Sequence, residues 1–163
     1  MWFEDVKLNQ RVTLGSYTFT EENIIAFARA YDPQPFHIDK EAAESSPYRG
    51  LIASGWHTAA VWMKLMNAHR VRSGAEAART GAGAPNLGPS PGFRNLVWAK
   101  PVYAGDTIRY RSTIAGTRAS ASRPGWGLAF HRNNGVNQNG DEVFSFDGAV
   151  FWQRRPQAAA RSG

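Results

Sequence analysis

The sequence predicts an α+β fold in which an antiparallel sheet covers one long buried helix. Helical patterns occupy the first half of the 163 residues, strand patterns fill the second half, and the helical segment that starts at Ser54 is apolar nearly all round for three turns. Such a helix must be covered, and consecutive strands with short turns form an antiparallel sheet. We therefore expect a single domain over residues 1–153.

The N-terminal third is predicted to hold an edge strand, a helix and a stiff loop. Thr20 has the properties of a helix N-cap, and acidic and apolar residues follow at helical spacing as far as Tyr31. Pro33 and Pro35 end that helix and favour an extended loop over 32–39. Asp39 is expected to cap a short helix over 40–44.

The remaining elements follow from the buried helix, which becomes polar after Asn67. Glycine, alanine and proline without an apolar period predict a long loop over 73–91. β-Branched and aromatic residues then predict strands over 93–99, 107–114, 126–136 and 143–152. Asn139-Gly140 favours a type I′ hairpin turn, and residues 154–163 are expected to form a frayed tail.

Composition excludes several classes of function. The chain has no cysteine, so disulfides and thiolate chemistry are excluded. A net charge of +6 suggests polyanion binding, but lysine and arginine are scattered, so solvated surface explains them better and no nucleic-acid partner is predicted. No stretch approaches the roughly 18 apolar residues of a membrane span, so we expect no membrane association and a cytoplasmic location.

Asp32 and His37 are the first candidates for chemistry. They flank residues 33–36, and a proline-stiffened segment can hold an acid and an imidazole in the fixed geometry that acid–base catalysis needs. Spacing alone favours a simpler explanation, in which Asp32 caps a turn and His37 is an ordinary loop histidine.

Gly55 is the second candidate because it opens the buried helix. A helix start presents unpaired N–H groups and a positive dipole end, which would stabilise an oxyanion, and a glycine allows close approach of a ligand. On its own, Gly55 is better explained as a packing glycine under the sheet. His57 is expected to be structural rather than catalytic.

Metal and nucleotide sites are not predicted. His37, Asp39, His57 and His131 could be combined into a metal site, but no pair of them has the helical spacing of a metal motif, and Asp39 is better explained as a cap. The sequence contains no glycine-rich dinucleotide motif, phosphate loop or nucleophile-elbow motif.

Three segments together resemble the MaoC-like dehydratases, a family that includes the (R)-specific enoyl-CoA hydratases. The segments are Ala30-Tyr31-Asp32-Pro33-Gln34-Pro35-Phe36-His37-Ile38-Asp39, Gly50-Leu51-Ile52-Ala53-Ser54-Gly55-Trp56 and Lys100-Pro101-Val102-Tyr103-Ala104-Gly105-Asp106-Thr107. The resemblance spans about residues 5–152. Each motif is weak alone, and their order makes the match specific.

The resemblance implies a hot-dog fold, a curled antiparallel sheet wrapped around one central helix, and a hydratase that adds water to a trans-2-enoyl thioester. It implies that Asp32 activates the water, that His37 positions the water and moves the proton, and that Gly55 N–H polarises the thioester carbonyl. It implies no cofactor besides the CoA of an acyl-CoA substrate, with acyl-carrier protein as another carrier. It also implies a homodimer or higher homo-oligomer.

Departures from the family pattern leave the substrate open. Tyr31 stands where the family usually has glycine, Gln34 where it has asparagine, and Ser54 where it has histidine. Gln34, Ser54 and His57 are therefore candidate substrate-lining residues. Two alternative functions stay open: a hot-dog thioesterase, which would attack the thioester carbonyl, and a non-catalytic subunit that only binds acyl thioesters.

Overall fold

Five antiparallel strands and one long helix make up most of the chain. The computed structural model describes residues 1–81 and 86–156. After a short 3₁₀ turn at Phe3–Asp5, the elements are β1 (Arg11–Thr18), α1 (Glu21–Tyr31), α2 (Pro35–Ile38), α3 (Lys40–Ser45), α4 (Gly55–Arg79), β2 (Phe93–Trp98), β3 (Thr107–Ala119), β4 (Trp126–Val136) and β5 (Glu142–Gln153).

The strands form one sheet in the order β1-β3-β4-β5-β2, and every neighbouring pair is antiparallel. The strands β1 and β2 are therefore the edges, and the chain crosses from one edge towards the other through the helices. This arrangement confirms the predicted α+β class, with an antiparallel sheet and one long helix.

Helix α4 packs its first three turns against the inner face of the sheet. Val61, Trp62 and Met66 of the helix lie in one buried cluster with Leu14 of β1 and Phe144 of β5. Burial of each large apolar side chain contributes about 1.5–3 kcal/mol. This packing fixes the position of the α4 N-terminus relative to the rest of the fold.

Local sequence signals account for the short helices. Thr20 caps α1 by accepting a hydrogen bond from Asn23 N–H at 3.2 Å, and Asp39 caps α3 by accepting one from Ala42 N–H at 2.9 Å. Both caps confirm the predictions. The segment 32–39 is not wholly extended, because Pro35 occupies the first position of α2, where its fixed φ and missing N–H suit a helix start.

Two further predictions need correction. Helix α4 continues to Arg79, so the predicted loop starts too early; its last turns contain alanines and a Glu76–Arg79 ion pair, which tolerate Gly74. Residues 82–85 of that loop lie outside the described residues. The Asn139-Gly140 turn is not type I′, because Gly140 has a φ of 87° and Asn139 is not in the positive-φ region.

The predicted tail is anchored at its start. Arg154 Nε lies 2.9 Å from Glu4 Oε1, and Arg155 Nη2 lies 2.7 Å from Asp5 Oδ1. Sequence patterning missed these long-range ion pairs between the two ends of the chain. Residues 157–163 of the tail lie outside the described residues.

In the part of the chain that the structure describes, no helix combines the length and the hydropathy needed to cross a membrane.

Candidate active site

Asp32 lies where α1 stops. Its N–H donates to Ala28 O at 2.8 Å and completes the last helical turn, while its own φ of −154° and ψ of 68° turn the chain out of the helix. Pro33 cannot donate a hydrogen bond to continue the helix, and it disfavours helical geometry at Asp32. The proline thus places the carboxylate at the exit of α1.

His37 is held in a fixed orientation. Its side chain is 5% exposed, and Nδ1 lies 2.7 Å from the carbonyl oxygen of Ile52. A carbonyl only accepts, so Nδ1 carries the proton in this contact and Nε2 points the other way. The N–H of Ile52 donates in turn to Phe36 O at 3.3 Å, which ties α2 to the chain before α4.

The two side chains meet at 3.4 Å between His37 Nε2 and Asp32 Oδ2. Asp32 Oδ2 also accepts a hydrogen bond from Ser54 Oγ at 2.6 Å, and Oδ1 accepts one from Gln34 Nε2 at 2.8 Å. Burial alone would raise the pKa of Asp32, but these two hydrogen bonds and the adjacent imidazole outweigh it and lower the pKa. The carboxylate is therefore ionised at neutral pH.

Gly55 is the first residue of α4, and Ser54 is its N-cap. Ser54 Oγ accepts from Trp56 N–H at 3.2 Å, and within the described residues Gly55 N–H makes no hydrogen bond. A Cβ on Gly55 would come within 2.4 Å of the Trp98 ring, whose Nε1 donates to Gly55 O at 2.9 Å. Close packing against Trp98 accounts for a glycine at this position, and its N–H has no partner because the first N–H groups of a helix have no intrahelical acceptor.

A cavity of about 400 Å³ brings these groups together. Asp32, Gln34, His37 and Gly55 all line it, and Lys100 lies at its wall. An ionised carboxylate, an imidazole and an unpaired helix N-terminus therefore face one space large enough for part of a ligand. This is the combination that acid–base chemistry next to a polarised carbonyl requires.

Two of the candidate substrate-lining residues lie elsewhere. Ser54 is 1% exposed and sits behind the Asp32 carboxylate, not on the cavity wall. His57 stacks on Phe27 with a centroid distance of 4.5 Å and packs edge-on against Phe19. Burial lowers the pKa of His57 to about 4. His57 is therefore a neutral core residue, and only Gln34 of the three candidates reaches the cavity.

Sequence reasoning missed the residues that support the pair. Ile52 orients His37 through its carbonyl, and Trp98 packs over Gly55 and lines the cavity. Residues 51–53 hydrogen-bond with 102–104, with Ala53 N–H donating to Val102 O at 2.8 Å. The Lys100–Thr107 motif was the sequence feature that could have indicated this support, because the fold places it next to the segment before α4.

Among residues 1–81 and 86–156, no three histidine, aspartate or glutamate side chains converge as metal ligands.

Comparison with known proteins identifies the family. The model of the MaoC-like domain matches residues 5–124. The crystal structure of a MaoC-like dehydratase from Rhodospirillum rubrum is 32% identical, with a TM-score of 0.78 over 96% of this chain and 99% of that one. An (R)-hydratase from A. caviae is 18% identical, with a TM-score of 0.63 over 94% of this chain and 99% of that one, and shows the same fold.

Among curated proteins, mesaconyl-CoA hydratase from Cereibacter sphaeroides is 36% identical over 68 residues, which are 42% of this chain and 20% of that protein. The chain spans less than half the length of the curated relatives it matches. The domain match and the full-length structural likeness confirm the predicted hot-dog fold, and this chain belongs to the MaoC-like domain family.

Proposed function

We propose that the protein catalyses reversible addition of water to a trans-2-enoyl-CoA, giving a 3-hydroxyacyl-CoA. The observation that carries the proposal is the 3.4 Å approach of His37 Nε2 to Asp32 Oδ2, with Gly55 N–H on the same cavity. A water on the cavity side of this pair can hydrogen-bond to both side chains. A thioester carbonyl at the α4 N-terminus then places its double bond next to that water.

Asp32 acts as the base that activates the water. Its lowered pKa keeps it ionised, and the hydrogen bonds from Ser54 and Gln34 hold both oxygens in place. Each carboxylate oxygen retains a further lone pair for the water. Acid–base assistance of this kind contributes roughly 10²–10⁴ in rate.

His37 positions the water and moves the proton. The hydrogen bond from Nδ1 to Ile52 O leaves Nε2 as the nitrogen that faces Asp32. Proton transfer therefore passes through Nε2. Because the ring is buried and anchored at one end, it keeps its distance to the carboxylate through the reaction.

Gly55 N–H stabilises the charge that develops on the substrate. As the water oxygen bonds to the β-carbon, the electrons of the double bond move towards the α-carbon and the thioester oxygen, giving an enolate. The unpaired N–H and the positive end of α4 stabilise that oxygen, and such a donor is typically worth ~3 kcal/mol. The proton taken from water returns to the α-carbon, so the addition is balanced and reversible without a cofactor.

The proposal includes the group that carries the acyl chain and the oligomeric state of the protein. The substrate is an acyl-CoA, with acyl-carrier protein as another carrier, since the curated relative is named as a CoA-thioester hydratase. The protein forms a homodimer or higher homo-oligomer, because edge strand β2 exposes Phe93, Val97 and Trp98 beside Trp56 and Met63 of α4. Exposed apolar side chains along a sheet edge favour association.

A chain-length panel of trans-2-enoyl-CoA substrates, starting with crotonyl-CoA, tests the activity. Loss of the enoyl absorbance is expected, without release of free thiol. Asp32→Asn and His37→Ala should each lower kcat by about 10²-fold or more. Asp39→Asn is the matched control, because asparagine also caps a helix and Asp39 lies outside the cavity.

Other outcomes would contradict the proposal. Thiol release with unchanged enoyl absorbance would assign a thioesterase. Binding across the panel without turnover would assign a non-catalytic acyl-thioester-binding subunit. Rates like those of the wild type in either site variant would remove Asp32 and His37 from the mechanism.

A further inference from the structure

Two apolar cavities lie beneath α4, next to the active-site cavity. The first has a volume of about 230 Å³ and shares Trp56 with the active-site cavity. The second has about 190 Å³ and shares Met66, Arg70 and His131 with the first. The three spaces thus follow one another along α4, starting at its N-terminus.

Buried polar atoms without partners line these cavities. Asn133 is 1% exposed and lines the first cavity, and its Oδ1 finds no hydrogen-bond partner in the described residues. His131 lines both cavities; its Nδ1 lies 3.2 Å from Ser112 Oγ, and its buried Nε2 has no partner there either. Buried polar groups are normally hydrogen-bonded, so these two atoms are available to polar groups of a molecule bound in the cavities.

Arg70 adds a positive charge at the same place. It is partly buried, lines both cavities, and makes no ion pair among the described residues. Burial, with the charge of Arg70, lowers the pKa of His131 to about 4, so the imidazole is neutral near pH 7. No aspartate or glutamate in the described ranges lines either cavity. A partly buried cation without a counterion is unfavourable unless an anion joins it.

We propose that these cavities bind the far end of the substrate's acyl chain, and that Arg70 and His131 recognise a carboxylate there. This inference rests on the proposed function, and it names the substrate class as a long-chain acyl thioester with a carboxylate at the distal end. The Arg70 guanidinium matches a carboxylate in charge and in donor geometry, and His131 Nε2–H can donate to it when Nδ1 accepts from the Ser112 hydroxyl.

The distance along α4 from Gly55 to Arg70 sets the length of the acyl chain. Fifteen residues separate Gly55 from Arg70, which is roughly 22 Å at the rise of an α-helix. Long side chains on a helix point back towards its N-terminus, so the guanidinium lies closer to the thioester site than its Cα does. A crotonyl group is too short to reach it, whereas a long acyl chain can.

Calorimetric binding of two saturated thioesters tests the inference without requiring turnover. Hexadecanedioyl-CoA, which ends in a carboxylate, should bind about tenfold or more tightly than hexadecanoyl-CoA. Arg70→Met keeps an apolar side chain without the charge. In this variant the ratio of the two dissociation constants should fall to near one. Arg72→Met is the matched control on the same helix: Arg72 lines neither cavity and should leave the preference unchanged.

Equal binding of the two thioesters, or no binding of either, would overturn the inference. A changed oligomeric mass of Arg70→Met in light scattering would also do so, since Arg70 would then belong to a subunit interface. Hydration of trans-2-hexadecenoyl-CoA is measured in parallel. Turnover without a tail preference refutes only this inference, whereas a tail preference without turnover refutes only the hydratase.

Discussion

At the scale of single residues, the ionisation and orientation of the Asp32 carboxylate depend on the groups that contact it. Ser54 and Gln34 each place one hydrogen bond on a different carboxylate oxygen, and His37 approaches the oxygen that Ser54 already contacts. Gln34 stands where the family usually has asparagine, yet its longer side chain still reaches Asp32. Gln34 thus holds one carboxylate oxygen of Asp32 and also lines the cavity.

Ser54→Ala is expected to alter the pH dependence of the reaction. The hydroxyl lowers the pKa of Asp32, so its removal should raise that pKa, and activity should be lost at a higher pH as the solution is acidified. The measurement is the acid limb of kcat/KM against pH. Ser54→Thr retains the hydroxyl and should restore the wild-type profile.

The control for lost helix capping is Thr20→Ala. It removes an equivalent cap from α1, at about 1 kcal/mol, without touching Asp32. An acid limb that moves equally in both variants would show that capping, and not the carboxylate, is responsible.

At the scale of elements, the first residue of α4 has two roles: it packs against β2, and it supplies the proposed oxyanion donor. Gly55 lies against the Trp98 indole, and this contact links the helix to edge strand β2. Gly55 N–H has no intrahelical acceptor because it belongs to the first turn of α4, and Gly55 lines the cavity. A side chain at this position would therefore disturb the helix–strand contact and the oxyanion donor together.

Gly55→Ala is expected to destabilise the fold by about 1–3 kcal/mol and to lower kcat, because a Cβ there would overlap the indole. Gly74→Ala is the control on the same helix. The added Cβ would have no atom within 4 Å, so this substitution should stabilise the helix by up to about 1 kcal/mol. Chemical denaturation gives both values. Additive effects in a cycle with Trp98→Leu would refute the steric explanation.

At the scale of the whole molecule, two neutral histidines are built into the interior. Burial lowers the pKa of His57 to about 4, and burial together with Arg70 does the same for His131. Both pKa values lie below the unfolded value near 6.5, so the unfolded chain binds more protons between these limits. The free energy of unfolding should therefore fall as the pH decreases from about 6.5 to about 4.

His57→Phe should remove the contribution of His57 to this acid sensitivity. Phenylalanine can keep the stack on Phe27 and cannot be protonated, so roughly 2 kcal/mol of the loss on going from about pH 7 to about pH 5 should disappear. Urea unfolding over this range measures it, and near-ultraviolet circular dichroism at neutral pH checks the packing. An unchanged pH slope would contradict a neutral buried His57.

Local signals in the sequence determined the short-range structure. The Thr20 and Asp39 caps and the prolines after Asp32 act within a few residues, so α1, α3 and the exit of α1 could be predicted. β-Branched and aromatic residues placed β2, β4 and β5 within one residue of their observed bounds, whereas β3 continues beyond its predicted end at 114 to Ala119. Ordered motifs identified the family and selected Asp32, His37 and Gly55 from a background in which each residue alone was unremarkable.

Only the tertiary structure decided what surrounds those residues. The Ile52 carbonyl on His37, the Trp98 ring over Gly55 and the burial of His57 away from the cavity all join distant parts of the chain. The convergence of Arg70 with His131 and Asn133 is of the same kind. Spacing along the chain carries no information on such contacts, because they form when the apolar face of α4 packs against the sheet and fixes which distant side chains become neighbours.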